Sequence, residues 1–184
     1  MVEDTGIYYN MLARRAINDA EAFTELYQHF FPRVYNFIYA RMKNHDEADD
    51  VVSETFMKAY ENLSKYDPYR AAFSTWLFRI ASNVMTDHFR KTQSRGEIEW
   101  DETFESPIDE HEEPENQALS AEGKTEILKA MDKLNERERR IVELKYFSGI
   151  GNKEIADILS TSANSVGVVL HGALKKLKKI LGEN

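Results

Sequence analysis

The sequence predicts an all-α protein with two small helical domains joined by an acidic flexible linker. Apolar residues recur at steps of three and four through most of the chain, which is the period of a helix with one buried face. The 184 residues include only eight glycines and four prolines, too few for the turns of an all-β protein. One acidic segment without a sustained apolar period separates two such helical regions, so the core is expected to be divided between two domains.

The distribution of charge locates the linker. The net charge is −8, and residues 92–122 carry 11 acidic side chains against a single basic one. Residues 1–91 carry 13 acidic and 11 basic side chains, and residues 123–184 carry 8 acidic and 12 basic ones. Because like charges repel, the middle segment is expected to be extended, although a solvated tether without a partner is the simpler interpretation. We therefore place the domains at 1–91 and 123–184, whose nearly balanced charge is compatible with a nucleic-acid partner.

Composition narrows the classes of protein further. Cysteine is absent, which excludes disulfides and thiolate metal sites and fits a reducing cytoplasm. No run of about 18 apolar residues occurs, so no membrane insertion is expected. The start, Met1–Gly6, lacks both a basic region and an apolar run, so no signal peptide is expected.

The first predicted helix covers Asp19–Lys43, with Asp19 as its N-cap. Pro32 lies inside this apolar stripe, and a proline removes a backbone donor and crowds the preceding turn. A kink, or a break into two helices, is expected there.

Two further helices complete the N-terminal domain. Asn44 or His45 caps a helix over Asp46–Leu63, and a third helix covers about Phe73–Lys91. Tyr66–Arg70 is predicted to be a loop, because the residue before a proline avoids helical angles. Three amphipathic helices can share one core, whereas each alone would be marginally stable.

The C-terminal domain begins with a short helix over Lys124–Met131. Asn135 and Glu138 have the spacing of a capping box, and they open a helix that runs to Phe147 and stops before Gly149.

The last two helices are separated by a tight turn. Asn152 caps a short helix through Leu159, Ser160–Ser162 form the turn, and Ser162 caps a final helix over Ala163–Leu181. This spacing resembles a helix-turn-helix, whose second helix enters the major groove of DNA. Ser160 stands where many such motifs have glycine.

Polar side chains on and near the final helix are candidate DNA contacts. Hydroxyl and amide groups suit base edges, and lysines suit phosphates. An ordinary helical bundle with a solvated lysine face is the alternative. The candidates are Lys153, Ser162, Asn164, Ser165, His171 and Lys175.

The third helix and the loop before it combine basic with aromatic residues. This pattern suits single-stranded nucleic acid, because rings stack on unpaired bases while cations follow the backbone. Aromatic residues at helical spacing are more often core, and Phe73, Trp76 and Leu77 are expected to be buried. The candidates are Arg79, Asn83, His88, Arg90 and Lys91, with Tyr66 and Tyr69 among the aromatic residues.

The second helix opens with acidic residues, among them Asp46, Asp49, Asp50 and Glu54. Negative charge near a helix N-terminus is favourable in itself, which is a purely structural explanation. A metal enzyme would need further ligands and a nucleophile or partner histidine, so no metal, no cofactor and no enzymatic activity are expected. A protein-binding face is favoured, because the acids flank the apolar edge Val52–Phe56.

Three stretches follow the order found in bacterial RNA polymerase sigma factors. Residues 46–60, DEADDVVSETFMKAY, resemble the region that binds the polymerase core, and residues 73–90, FSTWLFRIASNVMTDHFR, resemble the promoter-melting region. Residues 134–144, LNERERRIVEL, with EIADIL at 154–159 and the final helix, resemble the domain that reads the upstream promoter element. A chain with only these two domains and a tether is similar to the extracytoplasmic-function (ECF) sigma factors.

The resemblance implies a subunit without catalysis of its own that gives RNA polymerase promoter recognition and strand opening. Its expected partners are the polymerase core, through the clamp helices of the largest subunit and the flap, promoter DNA, and an anti-sigma factor. The acidic linker is expected to lie in the positively charged interior of the polymerase. The implied contacts with the clamp helices are Asp49, Asp50, Val52, Glu54 and Phe56.

The resemblance also implies roles on the minus-ten element. Asn83 lies where the family places a residue that reads an unstacked base, and Tyr66 is expected to wall the pocket for that base. Arg79, Arg90 and Lys91 are expected to hold the backbone of the separated strand.

The final helix departs from the family pattern, which has basic residues near its centre. Here Gly167 and Gly172 each cost about 1 kcal/mol of helix propensity relative to alanine. Either binding to the upstream minus-thirty-five element is weak, or contacts shift to Asn164, Ser165, His171 and the backbone amides of the helix N-terminus. Gly172 also leaves room for a partner such as an anti-sigma factor.

Another kind of binding protein fits the same motifs. A polymerase-independent helix-turn-helix regulator would bind duplex DNA unaided, and it is the alternative function.

Overall fold

A computed structural model of the chain describes residues 3–95 and 121–182, and within those ranges the backbone forms α-helices and no strand. The predicted all-α class is therefore confirmed. Residues 96–120, most of the predicted linker, lie outside the described residues. The helices are α1 (Glu3–Arg15), α2 (Ala20–Met42), α3 (His45–Asn62), α4 (Phe73–Arg95), α5 (Ala121–Met131), α6 (Glu136–Val142), α7 (Asn152–Ile158) and α8 (Ala163–Gly182).

The N-terminal group, α1–α4, is built around α2, which packs against each of the other three helices. Phe30 and Phe37 of α2 are fully buried against Phe73 and Phe78 of α4. Helix α1, which the periodicity analysis did not predict, adds the buried Leu12 to this core.

Helix α2 continues through Pro32, so the alternative of a break into two helices was wrong. Phe30 and Val34 are buried on either side of the proline, and their packing offsets the lost hydrogen bond. Asp19 caps α2 as predicted by accepting hydrogen bonds from two backbone amides of the first turn. Asn44 caps α3 in the same way, through the amide of Glu47.

The C-terminal group, α5–α8, confirms the predicted capping box, because Asn135 and Glu138 each accept a hydrogen bond from the other's backbone amide. The predicted single helix to Phe147 instead ends at Val142 and continues as a π-helical turn, Glu143–Phe147. The prediction of Asn152 as an N-cap was wrong, because Gly151 occupies that position without a side-chain bond.

The turn before α8 carries a strained residue. Ser160 adopts a left-handed φ of 52°, the conformation that favours glycine. Ser162 then caps α8 as predicted, its hydroxyl accepting a hydrogen bond from the amide of Ser165 at 3.1 Å.

The two groups contact each other on two sides. The π-helical turn packs against α2, where Arg33 Nε donates to the carbonyl of Ser148 at 2.7 Å. Helix α7 packs against α4, where the hydroxyl of Ser74 donates to Glu154 at 2.5 Å. The helix-turn-helix therefore lies beside the helix that carries the candidate single-strand contacts.

Candidate nucleic-acid interface

Of the five residues of α3 that the resemblance assigns to the clamp helices, only the acidic ones are accessible. Asp49 and Asp50 are exposed, and Glu54 is half-buried and pairs with Lys58 at 2.7 Å, which lowers the pKa of Glu54. Val52 and Phe56 are 2% and 6% exposed and belong to the core. Their side chains are part of the buried stripe of α3, so they are not available to a partner in this arrangement.

Exposed apolar residues that the sequence analysis missed adjoin this acidic turn. Met57 and Tyr60 of α3 are exposed, and so is Tyr27 of α2, whose ring centroid lies 4.7 Å from that of Phe56 on α3. Exposed apolar residues in one place mark interaction surfaces more often than single ones do. Tyr27 recurs at helical spacing with the buried Phe30 and Val34, and only packing shows that it lies at the open edge of that stripe.

Helix α4 presents three of the predicted DNA contacts on one exposed stripe. Arg79, Asn83 and Arg90 are exposed, and their spacing places them on the same side of the helix. Arg90 pairs with Asp87 of its own helix at 3.2 Å, and the guanidinium of Arg79 donates to the backbone carbonyl of Asp157 in α7.

The remaining predicted residues of α4 are placed differently. Lys91 is exposed. His88 is half-buried and faces Glu47 of α3, with 3.5 Å between its Nε2 and the carboxylate. It is thus directed toward α3 and away from the exposed stripe.

The loop before α4 holds its two tyrosines in opposite environments. Tyr66 is 6% exposed, and its hydroxyl donates toward Asn10 Oδ1 at 3.0 Å and the carbonyl of Ala71 at 3.1 Å. Burial raises the pKa of Tyr66 to about 12. Tyr69, at the tip, is 90% exposed, and its amide donates to Asp67 Oδ1 at 3.0 Å.

Helix α8 also has an exposed polar stripe. Asn164, His171 and Lys175 are exposed at helical spacing, with the exposed Val168 between them. Ser162 and Lys153 are exposed near the turn, whereas Ser165 is half-buried. The stripe offers an amide, an imidazole and an ammonium group along one face.

Two arginines of α6 lie near the turn and the start of α8, and the sequence analysis missed them. Arg137 donates to the hydroxyl of Ser165 at 2.8 Å, beside the N-terminus of α8. Arg140 lines a groove of about 500 Å³ together with Arg137, Leu159 and the turn residue Ser160. The run of three arginines at residues 137–140 was the available signal, because basic residues near a recognition helix reach phosphates.

Neither a metal-binding cluster nor a membrane-spanning helix is found in the described ranges. No group of three or more histidine, aspartate or glutamate side chains in residues 3–95 and 121–182 is placed to hold a metal ion. None of the helices in those ranges is long and apolar enough to cross a membrane.

Comparison with known proteins identifies both halves of the chain. The family model "Sigma-70 region 2" matches residues 26–95, and "Sigma-70, region 4" matches residues 124–177. The ECF RNA polymerase sigma factor BldN of Streptomyces coelicolor is 26% identical over 181 residues, which cover 98% of this chain and 68% of the relative.

Two solved structures share the fold. CnrH, in complex with the cytosolic domain of CnrY, superimposes with a TM-score of 0.71 at 23% identity, covering 95% of this chain and 97% of that one. The sigma factor RpoE of Bartonella quintana, in complex with the anti-sigma factor NepR, superimposes with a TM-score of 0.67 at 22% identity, covering 87% and 96%.

A region 2 followed by a region 4 defines a sigma factor of bacterial RNA polymerase. The chain belongs to the extracytoplasmic-function group of that family, as the resemblance of its three motifs implied. Its work is therefore transcription initiation with RNA polymerase, and its helix-turn-helix is the DNA-binding part of region 4.

Proposed function

We propose that three separate surfaces of this sigma factor act together on the polymerase and the promoter. The acidic turn of α3 binds the clamp helices, α4 with its loop holds the opened minus-ten element, and α8 reads the minus-thirty-five element while the C-terminal group contacts the flap. The observation that carries the proposal is the exposed stripe of Arg79, Asn83 and Arg90 on the helix that follows a loop whose tip exposes Tyr69. No catalytic step is assigned to the chain itself.

Strand opening is driven by binding energy. Extruding a base from the duplex costs a few kcal/mol of lost stacking. A hydrogen bond from Asn83 and stacking on an aromatic ring offset that cost, and Arg79 and Arg90 hold the backbone. Because Tyr66 is buried and Tyr69 is exposed, we assign the stacking ring to Tyr69.

On α8, the chemistry of the exposed stripe suits duplex DNA. The amide of Asn164 matches the paired donor and acceptor of adenine in the major groove. Lys175 and Arg137 reach phosphates on either side of it, which compensates for the missing basic residues near the centre of the helix.

The surface of α3 that we propose for binding the polymerase differs in part from the set of residues that the resemblance implied. Asp49, Asp50 and Glu54 remain as its polar part, and Met57 and Tyr60 replace the buried Val52 and Phe56 as its apolar part. The boundaries at 1–91, 92–122 and 123–184 stand as part of this proposal, with the acidic segment inside the polymerase. An anti-sigma factor is proposed as a further partner, and the cytoplasm as the compartment.

The decisive experiment is co-purification with core polymerase followed by run-off transcription. Asp50→Arg combined with Glu54→Arg should abolish both, because the charges that meet the clamp helices change sign. Glu21→Arg with Glu126→Arg changes the net charge equally at exposed sites elsewhere and should retain both activities.

Two results would contradict the proposal. One is a docking double mutant that stays folded and still supports transcription. The other is a wild-type chain that does not bind the core polymerase but binds duplex DNA tightly by itself. That result would favour the polymerase-independent regulator.

A further inference from the structure

Asn10 of α1 joins three parts of the N-terminal group through one oxygen atom. Its Oδ1 accepts a hydrogen bond from the hydroxyl of Tyr66 at 3.0 Å and another from the backbone amide of Phe73 at 2.7 Å. Tyr66 follows the 3₁₀ turn that ends α3, and Phe73 is the first residue of α4. One side-chain oxygen therefore holds both ends of the loop between them.

The bond to Phe73 serves as a helix cap supplied from another helix. The first amides of an α-helix have no partner within the helix and need an acceptor from elsewhere. Ala72 precedes α4 and has no side-chain oxygen, so it cannot supply one. A backbone amide can only donate, which fixes Oδ1 of Asn10 as the atom at this position.

Asn10 itself is held firmly in place. Leu12 and Ala13 of α1 are buried in the core. Tyr9 stacks on His29 of α2 with 4.0 Å between the ring centroids, and its hydroxyl lies 2.8 Å from Nδ1 of that histidine. Helix α1 thus connects the loop to α2, the central helix of the group.

We infer that Asn10 is a positioning residue for promoter opening. It fixes the loop so that Tyr69 at the tip and Asn83 on α4 face the same unpaired base. This inference rests on the proposed role of the loop and α4. It assigns α1, which lies outside the residues 26–95 matched by the region 2 model, to the strand-opening apparatus.

The test measures base discrimination by the full chain bound to core polymerase. The templates are variants of a promoter that the holoenzyme transcribes, and the minus-ten element of each is melted beforehand. Each template carries one of the four bases at one unpaired position. Asn10→Leu should lower the affinity ratio between the best and worst base at one position by about tenfold, the equivalent of one hydrogen bond worth about 1.4 kcal/mol. Binding to core polymerase should not change.

Two variants separate positioning from general stability. Asn10→Asp keeps the acceptor and adds a charge that a helix N-terminus favours, so it should retain the wild-type ratio. Met11→Ala changes an exposed neighbour on α1 and should also retain it. Tyr66→Phe removes only the second donor and should lower the ratio by less than Asn10→Leu.

The outcomes are distinct. A wild-type ratio in a folded Asn10→Leu variant, or failure of Asn10→Asp to retain discrimination, overturns the positioning role. If Asn10→Leu does not fold, a wild-type ratio in Tyr66→Phe alone overturns it. If the wild-type protein has no base preference at any unpaired position, the proposed function of the loop fails together with the inference.

Discussion

Tyr66 and Tyr69 lie three residues apart in one loop and have opposite environments. Both are aromatic residues near a basic helix, so the pattern of residue types alone does not distinguish which ring stacks on a base. The contact that separates them comes from Asn10, 56 residues before Tyr66, which holds the Tyr66 hydroxyl inside. Periodicity within the loop cannot reveal a partner at that distance in sequence.

Tyr69→Ala is therefore expected to weaken holoenzyme binding to a pre-melted promoter. A base stacked on an aromatic ring contributes about 1–3 kcal/mol, so affinity should fall by roughly 5- to 150-fold. Tyr146→Ala is the matched control, because that tyrosine is also exposed but lies in the C-terminal group. Equal affinities for the two variants, measured by fluorescence anisotropy, would remove Tyr69 from the proposed site.

Among the elements, the π-helical turn Glu143–Phe147 carries the most unusual side chain. Glu143 is 1% exposed and pairs with Arg139 at 3.0 Å, and Arg41 of α2 lies 3.9 Å away. Burial raises the pKa of Glu143 to about 7 despite both arginines. The folded protein therefore holds this proton at a pH where the unfolded chain has released it.

Stability linked to Glu143 should fall as pH rises from about 4.5 to about 7, because the folded state binds the proton more tightly there than the unfolded state. A shift of this size is on the order of 3 kcal/mol. Glu143→Gln removes this titration. The melting temperature of the variant relative to that of wild type should therefore rise between pH 5 and pH 8.

Glu138→Gln is the control for that titration. Its hydrogen bond with Lys176 lowers the pKa of Glu138, so its contribution is complete above the unfolded pKa and is lost only in acid. The Glu138→Gln variant should show no gain between pH 5 and pH 8. A stability difference for Glu143→Gln that does not change with pH would contradict the raised pKa.

The sequence predicted most helices because their periodicity and caps agree. Asp19, Asn135 and Ser162 were identified from local chemistry alone, and each makes its cap bond. The misses depend on tertiary structure. Packing on both sides carries α2 through Pro32, and α1 is stabilised by contacts with residues far along the chain.

Part of the candidate site was predictable for the same reason. Exposed polar stripes such as Arg79 with Asn83 follow from helical spacing. For Val52 and Phe56 two expectations conflict, because the helical period places both on the buried stripe of α3 whereas the resemblance assigns both to the clamp helices. The structure decides this through the neighbours that α2 supplies.

For the whole molecule, the contact between the two groups of helices conflicts with simultaneous binding to a promoter. Arg79 donates to the backbone of α7 in this arrangement, although the proposed function places it on the opened strand. Oppositely charged side chains join the groups at a second place, where Arg41 pairs with Glu136, and Lys43 lies 2.5 Å from Asp132. Promoter binding should therefore require the groups to separate.

Arg41→Glu should favour the separated arrangement. Arg41 is largely buried and faces Glu136 and Glu143, so reversing its charge costs about 3 kcal/mol or more, roughly a hundredfold in equilibrium. Small-angle X-ray scattering should show a larger radius of gyration than for wild type at low salt, with unchanged helix content by circular dichroism. Arg15→Glu changes an exposed arginine that pairs locally with Asp19, and it should leave the radius unchanged. Equal radii for Arg41→Glu and wild type would show that these charges do not hold the two groups together.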